Sequence, residues 1–166
     1  MGRYSRGAGI GTEVGTDLDT VPWGRAARVR EGDAVALLVF GTLLEPARKV
    51  AERLDTTLVN MRFVKPLDEA TVMQLAGRHA LLVTLEENVV QGGAGSAVNE
   101  SLHAAGVAAE VLNLGLPDAF IEQGSQAEQL EIAGLSAPQI EQRVRAAYAG
   151  LERDASGRGA ADSVVN

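Results

Sequence analysis

The 166-residue chain contains no cysteine, which excludes disulfide frameworks, thiol nucleophiles and thiolate zinc sites. Its two histidines, His79 and His103, lie far apart and show no His-x-x-x-His spacing, so a histidine-based metal site has little to build on. Aromatic residues make up 4% of the chain. With so few neighbours of its kind, Trp23 reads as a residue packed on the sheet or on an adjoining domain rather than as a cofactor-stacking ring. Positive charge is also short. A formal net charge of −7 argues against a nucleic-acid binder, because neutralising phosphates needs a basic surface. The longest apolar runs fall well below a bilayer span. No secretory signal is visible, and Arg6 stands where a myristoylation motif wants Ser or Thr. The expectation is a soluble cytoplasmic protein with neither nucleic acid nor membrane as partner.

Apolar residues account for 46% of the chain, which points away from bulk disorder. A chain of this length suits one domain that buries roughly 70% of its unfolded surface. Residues 1–25 are glycine-rich and aperiodic, and read as an irregular interdomain lead-in. Arg25–Arg30 could form a short strand with one apolar face. From Ala34 to Phe40 the run is apolar on both faces, the pattern of a strand covered by helices on either side. Gly41 ends it. Thr42-Leu-Leu-Glu45 has the spacing of a capping box, followed by Leu43, Ala47, Val50 and Leu54 at helical intervals. Pro46 falls in the first turn, where a missing N–H is harmless.

The unit then repeats. Thr57–Met61 reads as a strand, and Asp68 as the N-cap of a helix reaching about Arg78. Ala80–Leu85 is the next strand. Gly92-Gly-Ala-Gly-Ser96 opens a helix that Gly106 stops. Ala109–Leu114 is a further strand, followed by helices at Gln126–Ala133 and Ala137–Ala149. Residues 26–150 thus predict an α/β domain with a mostly parallel sheet between two helical layers. Residues 151–166, small and polar, read as a disordered tail.

In such a sheet, sites collect beyond the carboxyl ends of the strands. That rule gathers Gly41 and Thr42, Arg62 and Lys65, Glu86, Glu87 and Asn88, and Asn113, Leu116, Pro117 and Asp118. Glu86 and Glu87 would serve acid–base chemistry if burial raised one pKa. Adjacent carboxylates are an unspecific signal, and the favoured reading is that one caps the following turn while the other pairs with Arg62 or faces solvent. The glycine segment at 92–96 lacks both the Walker ending and the Gly-x-Gly-x-x-Gly spacing. Its amides could bind an anion. The favoured reading is a tight strand-to-helix turn with Ser96 near the N-cap. His79 and His103 each fall near a helix end, at the surface. Arg3-Tyr-Ser-Arg-Gly7 is a basic cluster suited to phosphate or carboxylate, although composition alone favours a solvated terminus.

Several segments taken in order carry more. Arg3-Tyr-Ser-Arg-Gly7, Asn60-Met-Arg-Phe-Val-Lys-Pro-Leu-Asp68, Val83-Thr-Leu-Glu-Glu-Asn88, Gly92-Gly-Ala-Gly-Ser-Ala-Val-Asn99 and Leu112-Asn-Leu-Gly-Leu-Pro-Asp-Ala-Phe-Ile-Glu-Gln-Gly124 together resemble the C-terminal domain of 1-deoxy-D-xylulose-5-phosphate synthase. The Glu-Glu and Gly-Gly-x-Gly-Ser segments are shared more widely with transketolase-like domains. The Arg-Phe-Val-Lys-Pro-Leu-Asp segment argues for the synthase over transketolase or a 2-oxo acid dehydrogenase β-subunit.

The resemblance implies a three-layer αβα sandwich of the transketolase C-terminal type. It also implies the family's reaction, condensation of pyruvate with glyceraldehyde 3-phosphate and loss of CO2, which feeds isoprenoid and thiamine biosynthesis. The family's thiamine diphosphate and magnesium are bound by a pyrimidine-binding and a diphosphate-binding domain outside this chain, whose sequence holds no Gly-Asp-Gly metal motif. The full enzyme is expected to be a homodimer. One residue carries over: the family's Tyr-Pro-Arg-Gly motif aligns with Tyr4-Ser5-Arg6-Gly7, so Arg6 is expected to hold the acceptor phosphate, with Arg3 as a second candidate. Ser5 replaces the motif's proline and loosens the local φ. On this reading the chain alone is non-catalytic, and binds neither cofactor nor metal. The alternatives are a stand-alone docking or dimerisation module, or the C-terminal part of a split transketolase-like enzyme.

Overall fold

The doubly apolar run at Ala34–Phe40 forms the strand on which the sheet is centred. In a computed structural model, which describes residues 20–162 and side chains through Ser156, the run becomes strand β2 (Val35–Phe40), buried along its whole length. Strand β1 (Ala27–Arg30) precedes it. Then follow helix α1 (Leu44–Leu54), β3 (Thr57–Asn60), α2 (Glu69–Ala76), β4 (Leu81–Val89), α3 (Ala94–Ala104), β5 (Val111–Leu116), α4 (Gln126–Ile132) and α5 (Ala137–Asp162). The sheet order is β1-β3-β2-β4-β5, with β1 antiparallel to β3 and every other pair parallel.

Period-two alternation along β2 divides the core. Val35, Leu37 and Val39 join Ala47, Val50 and Ala51 of α1 and Ile140 and Val144 of α5 on one face. Ala36, Leu38 and Phe40 join Val72 and Leu75 of α2 and Val98 and Leu102 of α3 on the other. The expected three-layer α/β arrangement is therefore observed.

Three local readings need correction. The capping box at Thr42–Glu45 does not form. Helix α1 starts at Leu44, its N-cap is Leu43, and that cap makes no side-chain hydrogen bond. Leu43 is completely buried, so core packing sets the entry of the chain and carries Thr42 outward, where its hydroxyl donates to Glu87. Glu45 pairs instead with Arg48 at 3.4 Å. Strand β4 also runs to Val89 rather than ending at Leu85. Finally, the last helix passes Ala149 and continues as α5 to Asp162, through much of the segment expected to be disordered. Tyr148 and Leu151 pack against the α1–α5 core and draw the helix across that boundary, and Ser156 Oγ donates to the Glu152 carbonyl at 2.8 Å.

Asp68 behaves as its position predicts, and does more. One carboxylate oxygen accepts from Thr71 N at 3.2 Å, capping α2. The other accepts from Ala26 N at 2.9 Å, tying the entry of edge strand β1 to the β3–α2 loop. Burial pushes the Asp68 pKa up, but the amides of Ala26 and Thr71, the Thr71 hydroxyl and Arg25 outweigh it and hold the carboxyl below the usual aspartate range. A carboxylate depressed on folding stabilises above its unfolded pKa of about 3.9, and loses that contribution as pH falls through the folded value. Asp68→Ala is expected to lower unfolding free energy by about 1–2 kcal/mol near neutral pH. Urea titrations at pH 7 and below pH 4 should show the gap between wild type and variant closing in acid.

Candidate functional site

The topology itself selects a place for a site. From β2 the chain crosses to β3 on one side. From β3 it returns past β2 to β4, and then steps outward to β5. Connections therefore leave the neighbouring strands β2 and β4 in opposite directions, and a crevice opens between their carboxyl ends. A cavity of about 670 Å³ lies there, lined by Gly41 and Thr42 after β2, Arg62 and Lys65 after β3, and Glu86, Glu87 and Asn88 of β4. Seven of the eleven edge residues picked out from the sequence thus meet in one place. Leu116, Pro117 and Asp118 line a neighbouring pocket with Phe120 and Ile121. Asn113 belongs to neither: its side-chain oxygen accepts from Thr84 Oγ1 at 2.7 Å within the sheet.

The two glutamates part company here. Glu86 is 4% exposed and accepts from Ala94 N at 2.7 Å and Gly95 N at 2.8 Å, one bond to each carboxylate oxygen. It is the anion at the positive end of α3. The glycine segment that could have cradled a phosphate is therefore already filled by the protein's own carboxylate. Its glycines serve close approach, as the favoured sequence reading had it. A Cβ on Gly95 would lie 2.6 Å from both Asn113 Oδ1 and Thr84 Oγ1, and one on Gly93 would meet the Glu86 carboxylate. Ser96 closes the turn, accepting from Gly92 N at 3.0 Å and donating to Val90 O at 3.2 Å.

Glu87 is held by Thr42 and by Gln126 Nε2 at 3.2 Å, and not by Arg62. Arg62 and Lys65 are exposed, and among the described residues neither enters an ion pair. Arg62 has φ +59°, the left-handed region rare for a side-chain-bearing residue, and Asn60 Oδ1 accepts from its backbone N at 3.1 Å.

His79 bridges the Leu75 carbonyl and Thr57 Oγ1 at 3.0 and 2.9 Å, a structural tie between α2 and β3, while His103 is exposed near the end of α3. Arg3 and Arg6 lie outside the described residues. The sequence reading missed the ring pair of Trp23 and Phe63, whose centroids are 5.3 Å apart. No local pattern announces it, because antiparallel pairing of β1 with β3 brings the two rings together.

A family model described as the transketolase C-terminal domain matches residues 24–140. The chain belongs to the transketolase C-terminal domain family. Among curated relatives, it is 54% identical over 146 residues to the 1-deoxy-D-xylulose-5-phosphate synthase of Methylibium petroleiphilum, covering 86% of this chain and 23% of that protein. To the synthase of Chromohalobacter salexigens it is 57% identical over 145 residues, covering 86% and 22%. The chain thus spans under a quarter of these relatives, and corresponds to their C-terminal domain. Among solved structures, a split-gene transketolase, described as an inactive β4 tetramer, aligns with a TM-score of 0.73 and 29% identity over 82% of this chain and 46% of that one.

The described residues of this transketolase C-terminal domain do not fit thiamine diphosphate and magnesium. A diphosphate placed on the α3 amides would displace or oppose the buried Glu86 carboxylate. Among the described residues, no three His, Asp or Glu side chains cluster so as to hold a metal ion. No helix of the described residues is long and apolar enough to cross a membrane.

Glu86→Gln is expected to destabilise the domain by about 2 kcal/mol, since an amide nitrogen would replace one acceptor against a helix N–H and the charge would be lost. Gly95→Ala should cost about 1–3 kcal/mol through overpacking against Asn113 and Thr84. Thermal and urea unfolding check both, and a neutral Gly95→Ala would contradict the close-approach role.

Proposed function

We propose that the chain acts as the C-terminal domain of a 1-deoxy-D-xylulose-5-phosphate synthase. The observation that carries this reading is 52–57% identity to such synthases over 86–90% of the chain, against 29% to the transketolase structure. In this reading the assembled enzyme is a cytoplasmic homodimer. It condenses pyruvate with glyceraldehyde 3-phosphate, releasing CO2, for isoprenoid and thiamine biosynthesis. Thiamine diphosphate and magnesium belong to the pyrimidine- and diphosphate-binding domains that make up the rest of the relatives. The misfit of a diphosphate at the α3 terminus agrees with that division of labour.

Arg6 supplies a guanidinium fork to the acceptor phosphate, with Arg3 as a second contact. The remaining surface serves interdomain packing. By itself the chain is non-catalytic. The split-gene transketolase neighbour favours one second reading, in which the missing domains sit on a separate polypeptide and the assembled site is the same.

In the assembled enzyme, Arg6→Ala is expected to raise KM for glyceraldehyde 3-phosphate about 10- to 100-fold, the range for losing a charge-assisted bond of about 1.5–3 kcal/mol. KM for pyruvate should change little, and equal shifts for both substrates would refute the assignment. Calorimetry on the purified 166-residue chain is expected to show no magnesium-dependent thiamine diphosphate binding. A measured binding isotherm would overturn the proposed division between domains.

A further inference from the structure

Antiparallel pairing of Ala27 with Asn60 puts the start of β1 at the carboxyl edge of the sheet. Trp23 is displayed there, 76% exposed, with its ring tilted 56° to that of Phe63. Val21 and Val64 flank the pair in sequence and are also more than half exposed. The neck that carries Trp23 is firmly built. Arg25 N donates to Pro22 O at 3.3 Å, Ala26 N is held by Asp68, and Arg25 reaches Asp68 at 3.5 Å. Gly24, at φ +66°, lies so close to Pro66 that a Cβ would come within 2.8 Å of its ring. A tryptophan fixed in place and left in water is an unsatisfied apolar surface, since such a side chain gains most from burial. In the β3–α2 loop that carries Phe63 stand Arg62 and Lys65, exposed and without an ion pair among the described residues, in a chain of net charge −7.

We infer that this edge is the docking surface for the domain preceding this one in the full-length relatives. That domain would present an apolar recess to Trp23 and Phe63, and carboxylates to Arg62 and Lys65. The inference rests on the proposed function above and names the contact face. The chain corresponds to the C-terminal domain of relatives of which it spans under a quarter, so their preceding polypeptide reaches the body through the Val21–Pro22 neck beside Trp23. Tethering at that point gives a high effective concentration, so a modest interface suffices. Tryptophan and arginine are the residue types that dominate interface energetics, and exposed cations select an acidic partner face. Phe120, at the opposite end of the same edge, is fully exposed with no cation lining its pocket, and provides a control.

The test is a chimera in which this chain replaces the C-terminal domain of the Chromohalobacter salexigens synthase. Limited proteolysis at the junction measures docking, and sedimentation of the 166-residue chain alone measures self-association. The wild-type chimera is expected to be protected at the junction. The triple variant Trp23→Ser, Arg62→Glu, Lys65→Glu should be cut at least tenfold faster, and Phe120→Ser should match wild type. The triple-variant chain by itself should keep its circular dichroism and Tm, because all three side chains are exposed. Equal protection of wild type and triple variant would overturn the docking face while leaving the domain assignment standing. A wild-type chimera open at the junction would instead count against the assignment itself. Self-association of the chain that the triple variant abolishes would overturn the inference in favour of a second copy on this surface.

Discussion

The Glu86 carboxylate sits with its charge against the first amides of α3, and the middle of the domain is arranged around that contact. Burying an ionised carboxylate costs several kcal/mol unless the lost water is replaced. Two backbone N–H groups and the positive end of an 11-residue helix replace it. The exchange works only if backbone comes very close to carboxylate, which is why Gly93 carries no side chain there, while Gly95 leaves room for Asn113 and Thr84. The same approach seats α3 over Thr84 and Asn113, whose hydrogen bond joins β4 to β5 within the sheet. One ion–dipole contact therefore bears on both the seating of a helix and the identity of Gly93.

Asp68 repeats the logic at the edge of the sheet. Its two oxygens serve different elements, the start of α2 and the start of β1, so a four-residue edge strand is held by a side chain as well as by its ladder. Both buried carboxylates are satisfied mainly by backbone amides. Arg25 only approaches Asp68 from the surface, at 3.5 Å and largely exposed. The backbone thus absorbs buried negative charge, and among the described residues Arg62 and Lys65 stay outside every ion pair.

The legible part of the sequence was the part whose signals are local. The apolar run at Val35–Phe40, the N-cap at Asp68 and the positive-φ stop at Gly106 each depend on neighbours in the chain, and each appears where expected. The strand-end rule likewise placed Thr42, Arg62, Lys65 and Glu87 around one cavity, because topology alone decides which loops share an edge. What could not be read depended on distant partners. Thr42 and Glu45 have the spacing of a capping box, but the burial of Leu43 sets the helix start and Glu87 claims the threonine. The extension of α5 past Ala149 comes from packing of Tyr148 and Leu151 against α1 and its neighbours, which composition does not record. The ring pair of Trp23 and Phe63 exists only once β1 has paired with β3.

These partners also explain why a site-shaped crevice need not be a cofactor site. At a topological switch point, helix amides and loop cations normally converge on a bound anion. In this domain Glu86 takes the amides from within, and Thr42 and Gln126 hold Glu87 at the rim. The positive end of α3 is thus offset by the protein's own carboxylate. What still faces outward on that edge is a pair of exposed cations and the ring pair of Trp23 and Phe63. Exposed cations that no ion pair among the described residues holds in place are poorly suited to positioning a reacting phosphate to within about half an ångström. They are well suited to recognising a broad acidic and apolar protein surface, where steering charges and one buried aromatic anchor supply much of the selectivity. One internal carboxylate thus leaves the switch-point crevice without free helix amides to offer a ligand.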